Sequence, residues 1–251
     1  MHIPRIYLPQ TLSENKSLEL DKTTMHHLVT VMRMKVGREF IIFNGLSVHG
    51  EYGEFSATLR HVDKKRAEIE VGVFTPSHTE SSLHIHLGAC IIKNDRMDWL
   101  LQKATELGVK EITPLFSQYT DVKIPTDRIE KKIAHWQKIV VSACEQSGRV
   151  MVPVIHTPQA LDTWIPSLAD KQCRLILHPY VQSYNVDTLP ASERPNDLAL
   201  LVGPEGGFSK EEVGLAITNQ FTGMKLGPRI LRAETAPLVA MSILMHQLEA
   251  C

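Results

Sequence analysis

The chain has 251 residues, 43% of them hydrophobic and 22% charged, with a formal net charge of -1 and a pI near 6.9. That apolar content suffices for one large or two modest cores, and the near-neutral balance excludes a global polycation, so any nucleic-acid contact has to come from local basic patches. No stretch approaches the roughly 18 apolar residues of a membrane span, the N-terminus lacks a signal-type apolar run, and Cys90, Cys144, Cys173 and Cys251 fall in no metal-type spacing, which predicts buried free thiols in a reducing, cytoplasmic setting.

Residues 1–74 read as a small β-barrel. Short alternating runs at 5–8, 39–43, 50–59 and 67–73 are separated by turn signals such as Asn44-Gly45, with one short helix over 24–34 whose start His26 and His27 would cap. Arg33, Lys35 and Arg38 follow that helix, and Arg60, Lys64, Lys65 and Arg66 cluster near a hairpin. Any one of these reads as a solvated turn residue; as a set they are the best phosphate-contact surface in the chain. Residues 75–82 are polar, proline-containing and aperiodic, which predicts a linker and a domain boundary.

From 83 to 251 strands alternate with helices, the pattern of a mainly parallel α/β sheet covered on both faces. Strands are predicted at 83–92, 109–116, 151–156, 174–177 and 198–202, and helices at 95–107, 127–146, 158–168, 209–219 and 237–248. His84 and His86 share one strand face at a spacing that suits a metal, but no acid or cysteine near them in sequence completes a site, so exposed histidines are expected. In Lys93-Asn94-Asp95-Arg96, Asn94 or Asp95 is expected to cap the following helix, leaving Lys93 and Arg96 at the strand's carboxyl end, where ligands of open α/β sheets sit.

Two segments carry the functional signal. The first is a buried strand, Leu198 to Val202, running into Gly203-Pro204-Glu205-Gly206-Gly207, after which Ser209 and Glu212 form a capping box. Glycines there let a ligand approach backbone N–H groups, although neither the P-loop nor the dinucleotide spacing is present. The second is Leu226-Gly227-Pro228-Arg229-Ile230-Leu231-Arg232-Ala233-Glu234-Thr235-Ala236 before an apolar helix; taken alone it is equally well explained by an Arg232/Glu234 ion pair.

Together, GPEGGFS followed by LGPRILRAETA resembles the paired C-terminal motifs of the ribosomal small-subunit methyltransferase E family, a branch of the SPOUT class of S-adenosylmethionine-dependent RNA methyltransferases. His26-His27-Leu28 with Val31-Met32-Arg33, Lys103 to Gly108 and Ala143 to Arg149 extend the resemblance over nearly the whole chain. It implies a PUA-like or OB-like RNA-binding barrel (1–74), a linker (75–82) and a SPOUT α/β domain (83–251) tied in a trefoil knot. It further implies a bent S-adenosylmethionine held by Leu177, His178, Val202, Gly203, Pro204, Gly206, Leu226, Gly227, Ile230, Leu231, Thr235 and Ala236.

The activity implied is methylation of N3 of one uridine in small-subunit (16S) ribosomal RNA, free or in the assembled subunit, by a homodimer that needs no metal. Arg232 would stabilise the developing uridine anion, and Glu205 or a water would take the proton; Glu205 could instead pair with Arg229 or Arg232. RNA contacts fall to Arg33, Lys35, Lys64, Lys65 and Arg66, with Arg96, Arg149 and Arg229 as the alternative surface. Two other readings stay open: a SPOUT enzyme that methylates transfer-RNA ribose, and a non-catalytic RNA-binding assembly factor.

Overall fold

The computed structural model describes residues 3–178 and 194–249, and within it the chain divides into two compact units. The first comprises Met1–Glu80 together with Cys144–Val152, and the second Ser81–Ala143 with Pro153–Cys251. The linear boundary expected at 75–82 has no counterpart to this return of residues 144–152.

The first unit is a five-stranded mixed sheet in the order β1 (Arg5–Tyr7), β3 (Glu39–Phe43), β4 (Gly53–Val62), β5 (Ala67–Pro76) and β2 (Ser17–Glu19). Period-two alternation dictates its long hairpin: Phe55, Ala57 and Leu59 of β4 and Ala67, Ile69 and Val71 of β5 are buried while their neighbours face outward. Two register shifts between Phe55/Ala57 and Leu59/His61 bend the pair. The three-residue β2 is too short to show alternation, and sequence reading missed it.

The expected single helix over 24–34 is instead α1 (Lys22–His26) followed by a π-helical turn, His27–Val31. Asp21, not a histidine, caps it, accepting from Thr23 N at 2.8 Å and Thr24 N at 3.0 Å. A carboxylate outcompetes an imidazole for these orphan amides, so His26 and His27 lie at the junction and cap nothing.

Residues 144–152 complete this unit. Cys144 and Val150 pack on Phe43, Glu145 accepts from Tyr7 N at 3.0 Å, and Arg5 donates to the Gly148 and Arg149 carbonyls at 3.2 Å. Arg149 itself is 3% exposed and donates to Glu80 at 2.8 Å, and Glu80 also accepts from Val150 N and Met151 N. This corrects the reading of Arg149 as an RNA contact, since a buried guanidinium already holding a carboxylate offers nothing to a phosphate.

The second unit is a seven-stranded sheet in which every pairing is parallel. Its order is β12 (Thr222–Gly223), β10 (Cys173–Ile176), β11 (Asp197–Val202), β6 (His84–Cys90), β7 (Glu111–Phe116) and β8 (Val154–Ile155), with β9 (Gln159–Ala160) also on β7. Helices α2 (Asn94–Glu106), α3 (Ile129–Ser147), α4 (Leu161–Trp164), α5 (Lys210–Thr218) and α6 (Thr235–Leu248) accompany it. On one face Cys90, Leu115, Ala199 and Leu201 meet Trp164 of α4 and Ala216 of α5. Strand residues of opposite parity, Ile85, Leu87, Leu198 and Leu200, are all 0% exposed, so both faces are covered.

Local details depart from the sequence reading for identifiable reasons. The helix expected over 158–168 is broken into β9, α4 and a 3₁₀ turn, Ile165–Leu168, because Pro166 lacks the N–H an α-helical interior needs and is tolerated only at the start of a new turn. Neither Asn94 nor Asp95 caps α2; Lys93 holds the N-cap position without a side-chain bond, and Asn94 Oδ1 accepts from Lys132 Nζ at 2.9 Å. Gly108 ends that helix region at φ +88°, as its position predicts. Burial pushes the thiols of Cys90 and Cys144 up to about 12, so both are inert at neutral pH.

Candidate active site

The two segments that sequence singled out, and the loop after β10 that the resemblance adds, leave neighbouring strands at one end of the parallel sheet. β10, β11 and β12 are adjacent and parallel, so Leu177-His178, Gly203 to Gly207 and the segment from Met224 onward all emerge at the carboxyl edge. The main chain ties them: Leu177 N donates to Leu201 O at 2.9 Å and Met224 N to Ile176 O at 3.0 Å. Gly207 N closes the glycine turn on Pro204 O at 3.0 Å with Gly207 at φ +74°. Ser209 caps α5 by the full capping box with Glu212.

Glycine is required where the chain passes other groups closely. A Cβ on Gly206 would come within 2.9 Å of Tyr119 Cβ, a neighbour no sequence signal announced. His178 lies 6.5 Å from the Phe208 ring, and burial lowers its pKa, which keeps the imidazole neutral at physiological pH. Val202 and Pro204 are buried, Leu177, Gly203, Leu226, Leu231, Thr235 and Ala236 half-buried, and Gly206 and Gly227 exposed. Ile230 stands 97% exposed, an unusual posture for an isoleucine.

The electrostatics centre on Arg96. Its guanidinium donates to Glu205 at 3.2 Å and lies 3.8 Å from Glu234, so one cation from α2 links both C-terminal motifs. Glu205 therefore pairs with neither Arg229 nor Arg232, and Glu234 with Arg96 and not with Arg232. The second oxygen of Glu234 is buried with no hydrogen-bond partner among the described residues. Asp95, Arg96, Trp99, Glu234 and Thr235 line a cleft of about 420 Å³. Arg232 uses its carbonyl to accept from Thr235 N and Ala236 N at 2.9 Å, starting α6, while its exposed side chain makes no ion pair among the described residues. Arg96 was expected to touch RNA; its bridging role was not legible, because Glu205 and Glu234 are more than 100 residues away in sequence.

The other candidate cations lie in the first unit. Asp63 accepts from Lys65 N at 2.7 Å and Arg66 N at 2.8 Å, which fixes the hairpin turn and leaves the Lys64 and Lys65 side chains exposed. Arg66 is bound to Glu68 and lies 3.4 Å from Glu19, so it is already neutralised. Arg33, at φ +53°, and Lys35 are exposed, as is Arg229 of the second unit.

The family model for the RNA methyltransferase domain matches residues 79–245, and that for the RNA methyltransferase PUA domain matches residues 20–72, so a two-domain RNA methyltransferase is the class this fold and these motifs define. Ribosomal RNA small subunit methyltransferase E of Buchnera aphidicola is 38% identical over 242 residues, 96% of this chain and 95% of that protein, and the Bacillus subtilis protein of the same name is 29% identical over 245 residues, 96% of this chain and 94% of that one. Among solved structures, the Neisseria gonorrhoeae ribosomal RNA small subunit methyltransferase E bound to S-adenosyl methionine superposes with a TM-score of 0.88 at 34% identity, covering 97% of each chain. A Legionella pneumophila protein solved with the bound cofactor SAM reaches 0.90 at 38% identity, covering 98% of each. The chain belongs to the ribosomal RNA small subunit methyltransferase E family.

Proposed function

We propose that this chain is an S-adenosylmethionine-dependent methyltransferase that modifies N3 of a single uridine in small-subunit ribosomal RNA. The observation that carries the reading is the convergence, at one sheet edge, of the glycine turn after β11, the loop after β10 and the Arg-rich segment before α6, with Arg96 binding carboxylates of two of them. The residues present suit the cofactor: Gly206 packs so closely on Tyr119 that a Cβ would collide with it, which keeps the glycine turn tight, and Gly227, at φ +96°, has open space where a Cβ would stand. Leu177, His178, Val202, Gly203, Pro204, Gly206, Leu226, Gly227, Ile230, Leu231, Thr235 and Ala236 would hold it.

When bound, S-adenosylmethionine supplies an electrophilic methyl group. The chain's task is then to place uridine N3 in line with it and to favour the N3 anion. Arg232, with no carboxylate partner among the described residues, is a cation placed to stabilise that charge; Glu205 or a water accepts the N3 proton, with Arg96 fixing the Glu205 carboxylate. Lys64 and Lys65 with Arg33 and Lys35 supply phosphate contacts from the first unit. The trefoil knot, the homodimer and a cytoplasmic setting belong to the same reading; no helix among the described residues is long and apolar enough to cross a membrane.

The test is methyl transfer from labelled cofactor to small subunits from a strain lacking the gene, followed by nucleoside mapping. One 3-methyluridine per subunit is expected. A methylated ribose would favour the transfer-RNA-type alternative, and cofactor that fails to bind in calorimetry would favour the assembly-factor alternative.

A further inference from the structure

At the opposite, amino-terminal edge of the same sheet, four residues from three separate stretches of sequence come together. Glu111, the first residue of β7, accepts on both oxygens: His84 Nε2 lies 2.6 Å from Oε1 and His156 Nε2 2.6 Å from Oε2, with His86 Nδ1 4.0 Å from Oε2. Parallel pairing causes this, since β6 and β7 align His86 with Glu111, and β8 beside β7 delivers His156. The expectation of exposed histidines with no acid at hand is thus overturned for His86, which is 8% exposed, because the acid arrives from the next strand and not from the neighbouring sequence.

We propose that His86, Glu111 and His156, with His84 alongside, bind one divalent transition-metal ion of the Zn²⁺ type. Ligand atoms of the first three lie within 4.8 Å of one another. Around a tetrahedral ion with bonds of about 2.0–2.2 Å, ligand atoms stand roughly 3.3–3.6 Å apart, so side-chain shifts of about 1 Å close the site. Two imidazoles and a carboxylate are a donor set that first-row metals favour over Mg²⁺ or Ca²⁺.

The surroundings support an ion independently. Thr113 Oγ1 lies 2.8 Å from His86 Nε2, the outer hydrogen bond that orients a metal-binding imidazole and leaves Nδ1 aimed at Glu111. Trp164 stands edge-on to His86 at 5.3 Å and walls the site with apolar surface. The nearby Lys171 is paired with Asp197 at 2.7 Å, and the half-exposed His84 and His156 leave an entry path. An ion here would staple β6, β7 and the chain after β8, at the far edge from the proposed methyl-transfer site.

The test is calorimetric titration of Zn²⁺ into the chelator-treated full-length protein at neutral pH, with melting followed in parallel. One ion per chain, a higher melting temperature and Co²⁺ substitution giving tetrahedral-type visible absorption are expected. His156→Ala and Glu111→Gln should each weaken binding by at least about tenfold, and His26→Ala, in the other unit, should not. The half-exposed His156 is the safer substitution for folding, and circular dichroism of each variant confirms that loss of binding is local. No saturable uptake by the unaltered chain, or uptake unchanged in folded His156→Ala, overturns the proposal.

Discussion

The two ends of the seven-stranded sheet are built on opposite principles. At the carboxyl end the loops are built on glycines, a positive-φ turn and a helix cap, and the side chains of Arg232 and Ile230, to which the proposed function gives roles, stand in solvent. At the amino end, Glu111 and its histidines satisfy one another through side-chain bonds under the cover of Trp164. The same parallel pairing makes both. What differs is whether the edge leaves main-chain groups open to solvent or closes side chains around one carboxylate, and that decides how each end answers to substitution.

The largest expected effect lies at the open end. Arg232→Ala removes a cation that no carboxylate among the described residues holds, and single-turnover methyl transfer should fall about 10²–10³-fold with cofactor affinity nearly unchanged; a near-normal rate would leave Arg232 a structural residue. The closed end should respond to acid. His86 titrates near 6.5 when unfolded and at about 4 when folded, so the unfolded chain binds the extra proton between those values. Stability is therefore fully present above that window and lost as pH falls through it, by on the order of 3 kcal/mol. Glu111 adds a further loss below its unfolded value, as pH falls toward about 2. Denaturant melts at neutral pH and near the folded His86 value measure this, and identical acid limbs for the unaltered chain and His86→Gln would break the account.

Gly88, midway along β6, separates the two ends. A Cβ there would meet Trp164 Cη2 at 2.2 Å, so Gly88→Ala should cost about 1–3 kcal/mol by overpacking. Calorimetric cofactor affinity of the folded variant should stay unchanged, because Trp164 lies beside the histidines and not among the glycine loops. The smallest effect expected is at Gly206. Valine there collides with Tyr119 and should weaken cofactor binding by about tenfold, or 1.4 kcal/mol, with little change in melting; unaltered affinity would move the cofactor away from this turn.

This contrast also explains what was legible beforehand. The strand, glycine turn and capping box of residues 198–212 are contiguous, so local chemistry revealed them, and the periodicity of Phe55 to Val71 gave the hairpin. The histidine cluster draws on residues 84, 86, 111 and 156, and the Arg96 bridge on 96, 205 and 234, which only strand order brings together. The Asp21 cap and the helix break at Pro166 rest on local signals, but the longer periodic runs around them point to unbroken helices. The cofactor loop after β10 reads as Leu177-His178-Pro179, and its last residue, like Cys251, lies outside the described residues.

The return of residues 144–152 to the first unit has a consequence for how the protein is made. During synthesis the first unit cannot finish when residue 80 is added: Glu80 still lacks the guanidinium of Arg149, Tyr7 lacks its acceptor on Glu145, and Phe43 lacks Cys144 and Val150. Those partners arrive only after β6, α2, β7 and most of α3 have been translated. The order of birth and the order of completion are therefore interleaved, and the N-terminal half of the second unit is already in the cell before the first is sealed. A fragment of residues 1–80 would carry the whole five-stranded sheet yet lack Cys144, Glu145, Arg149 and Val150, so a version of this unit that keeps those contacts extends to Val152.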